Sequence, residues 1–211
     1  MARNKYPEQT VEKILDVSER LFLEKGYDNT TIQDIVDSLD GLSKGAIYHH
    51  FDSKEAILSA IEGRIFSKDN PFKIVENDDS LNGLQKLQTA ISYNQRKQSK
   101  PANKKISNEI IPLLKNPRIL ASSIESNRKY LAPEFYKLLE EAKKDNSIST
   151  PYTKEISELL PLLELWMMPS VFPATQEEMV KKLEFIKVLF DKLGVPILTD
   201  EYIENTKRLL K

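Results

Sequence analysis

Apolar residues recur along the chain at helical rather than alternating intervals. Val11, Ile14, Leu15, Leu21 and Phe22 make a broad apolar stripe on a first helix. Pro7 stands where a first-turn proline is tolerated, and Gly26 supplies a left-handed stop. Thr30-Thr31-Ile32-Gln33 reads as a capping box, with Thr30 as N-cap and Gln33 reaching back. It opens a short helix with Ile32, Ile35, Val36 and Leu39 on its apolar face. Asp40-Gly41 predicts a turn. Ser43 then caps a third, very short helix ending near Phe51, with Ala46, Ile47 and Phe51 inward. Lys44, Gly45, Tyr48 and His49 face outward on that helix. Asp52 and Glu55 form another capping pair, opening a fourth helix that runs to about Ser67.

The stretch DNPFKIVENDDSLNG breaks this rhythm, after which Leu84, Leu87, Ile91 and Tyr93 resume a helix. Further on, ISELLPLLELWMMP is apolar almost all round and needs burial on more than one face. MVKKLEFIKVLFDKL carries Met179, Leu183, Ile186, Phe190 and Leu193 on one stripe, with Phe185 and Leu189 on another. Pairing two such helices with those of a second copy makes a four-helix bundle that buries the second face; the alternative is one deep monomer core. Leu159, Leu163, Leu183, Ile186 and Phe190 are the residues expected at that seam. Pro7 is the only one of 11 prolines before Pro71. The pattern therefore predicts an all-α chain in two parts: a compact head at 1–68 and a larger, proline-punctuated helical body at 69–211. The fourth helix is the only continuous covalent element expected to lead from one to the other.

Composition narrows the function classes. With 211 residues, 40% hydrophobic and 30% charged, the chain is of ordinary globular character. No apolar run approaches the roughly 20 residues of a membrane span, and MARNKYPEQ lacks the apolar core of a signal peptide. The expected location is cytoplasmic, with no membrane partner. Having no cysteine, the chain can form neither a disulfide framework nor a thiolate site. The net charge is −1, and residues 1–54 hold seven Lys and Arg against ten Asp and Glu. A nucleic-acid partner must therefore be met by local placement of cations.

Two short helices joined by a glycine-bearing turn, residues 31–50, form a helix-turn-helix, whose second helix enters the major groove of DNA. Spacing alone fits a purely structural αα-corner equally well. Within the third helix stand both histidines, His49 and His50. Neighbours on a helix point about 100° apart, so they make a poor metal or catalytic pair. No GxSxG or P-loop pattern is found, and no enzyme activity, cofactor or metal is expected. What remains is hydrogen bonding to phosphates or base edges. Thr31 can present its hydroxyl and N–H to a phosphate from a helix start, though capping alone accounts for it equally. Lys54 can act as a point charge on the backbone; the alternative is a solvated lysine. Arg3 and Lys5 could form a minor-groove arm, but an uninvolved tail is the better reading.

TTIQDIVDSLDGLSKGAIYHHFDSKEAIL closely resembles the DNA-binding domain of the tetracycline-repressor (TetR) family of bacterial regulators. The resemblance covers about residues 8–66. Its matching elements are Phe22 to Tyr27, Thr30-Thr31, Ile35, Ser43-Lys44-Gly45, Tyr48, His50-Phe51 and Ser53-Lys54-Glu55. It implies DNA contacts by Thr31, Ser43, Lys44, Gly45, Tyr48, His49, His50 and Lys54, with His50 resembling the family's phosphate contact. At position 49, where many relatives carry an aromatic residue, this chain has histidine. The resemblance also implies a homodimer through the late helices. Tyr93, Tyr130, Phe135, Tyr136, Trp166 and Met167 could line a pocket for a small-molecule effector; aromatics at helical spacing are more often plain core. Pro112, Pro133 and Pro161 mark kinks that could open such a pocket, or helix ends. Between Ser80 and Asn108 there are six bases and no acid, read as a solvated loop around Ser99-Lys100-Pro101. The expected function is a ligand-responsive repressor that binds a near-palindromic operator in double-stranded DNA. The alternative is an all-helical enzyme or dimeric interaction protein whose corner is only structural.

Overall fold

The computed structural model describes residues 7–39, 41–68, 70–98 and 111–210, with the side chains of 7, 94–98 and 111–112 left aside. Asp40, the Arg3 and Lys5 arm and the Ser99-Lys100-Pro101 run lie outside the described residues. Every described element is helical. In chain order the α-helices are α1 (Pro7–Lys25), α2 (Ile32–Asp37), α3 (Lys44–His50), α4 (Lys54–Lys68), α5 (Gly83–Gln98), α6 (Pro117–Ser126), α7 (Ala132–Lys144), α8 (Thr153–Trp166), α9 (Gln176–Lys192) and α10 (Asp200–Leu209). Short 3₁₀ turns occupy Pro71–Ile74 and Ile111–Lys115, and a π-helical turn spans Asn127–Leu131.

The chain divides into two compact units. One comprises Met1–Lys68 with Asn116–Ser126, the other Asp69–Lys115 with Asn127–Lys211. Besides Lys68, the chain therefore passes between units again after Lys115 and after Ser126. The fourth helix is not the only covalent route.

The first unit is built on Ile14, Leu15, Leu21 and Phe22 of α1, with Ile35, Ile47, Ile57, Leu58 and Ile61 closing the core. Gly26 ends α1 at φ +83° and Gly41 turns the chain between α2 and α3 at φ +78°, a region that favours glycine. Arg64 of α4, 8% exposed, reaches three acids of α1: Glu12 at 3.0 Å, Asp16 at 2.6 Å and Glu19 at 2.6 Å. Helix α6 docks on α4 through one carboxylate. Glu62 accepts hydrogen bonds from the hydroxyls of Ser122 (2.8 Å), Ser123 (3.2 Å) and Ser126. Asp28 accepts from Asn116 Nδ2 at the start of the same segment.

Two of the expected caps fall elsewhere. Thr31, not Thr30, caps α2, and its partner is Asp34 rather than Gln33. Thr30 is buried, its hydroxyl donating to the carbonyls of Leu21 (3.2 Å) and Gly26 (2.9 Å). Ser53, not Asp52, accepts from Ala56 N at the start of α4.

The second unit packs α5, α7 and α8 together, with α9 and α10 paired. Leu87, Leu139, Ile156, Phe190 and Val195 are among its fully buried side chains. Lys86 is no part of a solvated basic run. It is buried, and its Nζ lies 2.5 Å from Glu141 Oε1. Pro161 lies inside α8, whereas Pro133 follows the π turn at the start of α7.

Candidate nucleic-acid interface and ligand cavity

Helix α3 is seven residues long, too short to persist without tertiary support. Ser43 Oγ accepts from Ala46 N at 3.2 Å, satisfying one of the helix's unpaired first-turn donors. Ile47 is fully buried and fixes the helix's rotation. Ser43, Lys44, Gly45, Tyr48 and His49 are consequently exposed, and His50 is half-buried. A Cβ built on Gly45 would have only Ser43 Oγ within 4 Å, at 3.8 Å, so the surface there is open to close approach. The His49 and His50 rings meet edge-on at 5.2 Å.

Thr31 and Lys54 stand differently. Thr31 donates from both its N–H (2.8 Å) and its hydroxyl (2.6 Å) to Asp34 Oδ2. Lys25, 2.8 Å away, and then Thr31 hold the Asp34 carboxyl well below the usual carboxylate range. An anion of the protein itself thus occupies the place expected for a phosphate. Lys54 Nζ donates to the carbonyls of Tyr27 (2.6 Å) and Thr30 (2.8 Å) and sits 4.2 Å from the Tyr27 ring centre. Two of its three protons are committed to holding the turn between α1 and α2 against α4.

The second unit holds a part-open cavity of about 370 Å³, within the range of small-molecule sites. Phe72, Phe135, Leu160, Met167, Met179 and Tyr202 are among its walls. One acid lines it, Glu164 of α8. Its side chain keeps exposed surface beside the apolar walls, and desolvation by the surrounding protein pushes its carboxyl up from the ordinary value. Among the described residues, no hydrogen bond or ion pair holds that carboxyl. Burial and then the Glu164 charge raise the nearby Tyr202 hydroxyl.

Residues 14–61, which contain α2, α3 and the turn between them, match the family model of bacterial regulatory proteins of the tetR family. Residues 14–61 are a TetR-family domain. The biofilm operon icaADBC HTH-type negative transcriptional regulator IcaR of Staphylococcus epidermidis is 39% identical over 75 residues, 35% of this chain and 40% of its own. The chain's matches span 23–40% of the lengths of its first curated relatives. Solved structures extend the likeness in fold across both units. A TetR-family transcriptional regulator from Pectobacterium atrosepticum superposes at a TM-score of 0.62 with 17% identity, over 92% of this chain and 98% of its own. RolR in complex with resorcinol does so at 0.62 with 16% identity, over 98% and 97%.

Around this TetR-family head, the residues expected to bind an effector scatter. Phe135 and Met167 line the cavity, but Tyr93, Tyr130 and Tyr136 do not. Trp166 turns instead into a shallow groove beside Lys182, whose Nζ lies 5.0 Å from its ring. The expected dimer seam is also corrected. Leu183, Ile186 and Phe190 are 3%, 7% and 0% exposed in the single chain, so they belong to its own core. Leu163 and Leu183 line the cavity, while Leu159 is half-buried. On α8 and α9 the exposed apolar side chains are Leu162, Phe185 and Val188, at 47%, 55% and 57%; of the second stripe, Phe185 is exposed and Leu189 half-buried. Glu164 and Tyr202 escaped the sequence reading. The available signal was an acid inside a stretch apolar almost all round.

Proposed function

We propose that this protein is a sequence-specific DNA-binding transcriptional regulator, acting as a homodimer on a near-palindromic operator and released from it by a small molecule. One observation carries the reading: α3, capped by Ser43 and anchored by Ile47, turns Lys44, Gly45, Tyr48 and His49 to solvent. A helix so exposed fits the major groove, where its side chains reach base edges. His50 and Ser43 flank that face and suit phosphates. Thr31 and Lys54 act as positioning residues that set α2, α3 and α4 at the required angle. Repression is favoured by the negative regulator IcaR among the relatives, and an effector by the apolar cavity and the resorcinol-bound RolR. Action on chromosomal DNA places the protein in the cytoplasm. Among the described residues, no helix is long and apolar enough to cross a membrane.

Selection of bound duplexes from random DNA is expected to return a near-palindromic site. Tyr48→Ala is expected to change which bases are preferred, at about 1–3 kcal/mol per lost base contact. No enriched sequence, or an unchanged preference in the variant, sinks this assignment of α3.

Dimerisation is assigned to the exposed stripe of α8 and α9. Phe185→Glu combined with Val188→Glu places two charges at the proposed seam, where burial without partners is costly. Sedimentation is expected to show monomers that keep the helical signal. A double variant that still sediments as a dimer moves the seam elsewhere.

A further inference from the structure

We infer that the cavity of the second unit takes a hydrophobic organic monocation, recognised through the carboxylate of Glu164. This deepens the effector reading above and rests on that cavity being the effector site. The walls are nearly all apolar, and among the described residues lining them there is no Lys, Arg or His. Glu164 is the single acid, so one positive charge is what the site can neutralise. Glu164 keeps exposed surface beside these apolar walls, and among the described residues no other charged side chain lines them to satisfy its carboxylate. Charged groups so placed in a cleft cluster at functional sites.

Ligand charge separates the candidates. An anion finds no counter-charge and meets Glu164 head-on. A neutral apolar molecule fills the volume but leaves the carboxyl unpaired. A cation supplies the missing partner beside apolar walls, which strengthen Coulomb attraction relative to bulk water. Phe72, Phe135 and Tyr202 add aromatic rings that favour a cation lying against their faces. The thioethers of Met167 and Met179 adapt to varied apolar groups. An alkylammonium with little hydration to lose fits best.

The probes share one tail and differ in head charge: octyltrimethylammonium, octan-1-ol and octanoate, titrated calorimetrically into the full chain. The cation is expected to bind at least tenfold tighter than the alcohol, and octanoate weakest. Glu164→Gln keeps the side chain's shape, so it is expected to erase the tenfold gap by weakening the cation alone. The alcohol's unchanged affinity then reports an intact cavity. Equal binding of alcohol and cation to the wild type, or a cation preference that survives in Glu164→Gln, overturns the inference. Selection of operator DNA uses no ligand, so failure of the cation assignment and failure of the regulator reading are separately visible.

Discussion

Gly83→Ala is expected to lower the midpoint of thermal unfolding by about 6–12 °C, the shift that about 3 kcal/mol produces in a chain of this size. Gly83 opens α5 against the end of α7. A Cβ there would lie 2.2 Å from the backbone nitrogen of Ala142 and 2.3 Å from its Cα. Backbone cannot rotate aside as a flexible side chain can, so the helices must separate. That separation breaks two bonds holding the first turn of α5, from Gly83 N to Asp145 Oδ2 (2.6 Å) and from Leu84 N to Ser147 Oγ (3.1 Å). Burial opposes the Asp145 charge, but donation from Ser147 and Gly83 outweighs it, and its pKa falls below the ordinary value. Asp145 therefore contributes stability that is complete above the unfolded carboxylate range, near pH 4, and is lost as pH falls through the lower folded value. Scanning calorimetry of wild type and variant at neutral pH checks the magnitude. A shift under 2 °C would mean that the two helices are not packed this closely.

Arg64→Met is expected to cost about 2–4 kcal/mol, measured by urea unfolding. Exposed ion pairs seldom exceed about 1 kcal/mol, and Glu12 and Asp16 are themselves well exposed. The guanidinium, however, is nearly buried and bonds three acids on successive turns of α1. Methionine retains the apolar stem but leaves those carboxylates facing one another with no cation between them. Their repulsion is screened by salt. Raising ionic strength is accordingly expected to restore part of the loss in the variant and little in the wild type. A cost below 1 kcal/mol, insensitive to salt, would reduce the cluster to ordinary surface pairing.

The first four helices were legible because their signals are local. The Ser43 cap, the Ile47 anchor and the left-handed Gly26 each act within a few residues of themselves, and the structure has them as read. The cap of α2 lies one residue beyond the threonine that the pattern predicts. Of two adjacent threonines, only the packing under α1 determines that Thr30 points inward to the Leu21 and Gly26 carbonyls while Thr31 is left to cap. Lys54 looked like any exposed base near a basic motif. Two carbonyls at sequence separations of 27 and 24 claim it instead.

The body shows the same division more sharply. Periodicity assigned Met179 to Leu193 two apolar stripes but carries no information about which one meets the chain's own core. The folded unit buries Leu183, Ile186 and Phe190 and leaves Phe185 outside. Nor does local sequence bring Glu62 to three serines some 60 residues away, or turn Glu164 toward an apolar cavity. By itself the sequence determined the helical class, the helix-turn-helix and the outward face of α3, since caps and helical periods are short-range properties. The tertiary structure decided which stripe is core, which polar groups are consumed in holding the head together, and where a carboxyl is left without a partner. Those outcomes depend on which distant surfaces exclude water together, and pattern along the chain does not encode that.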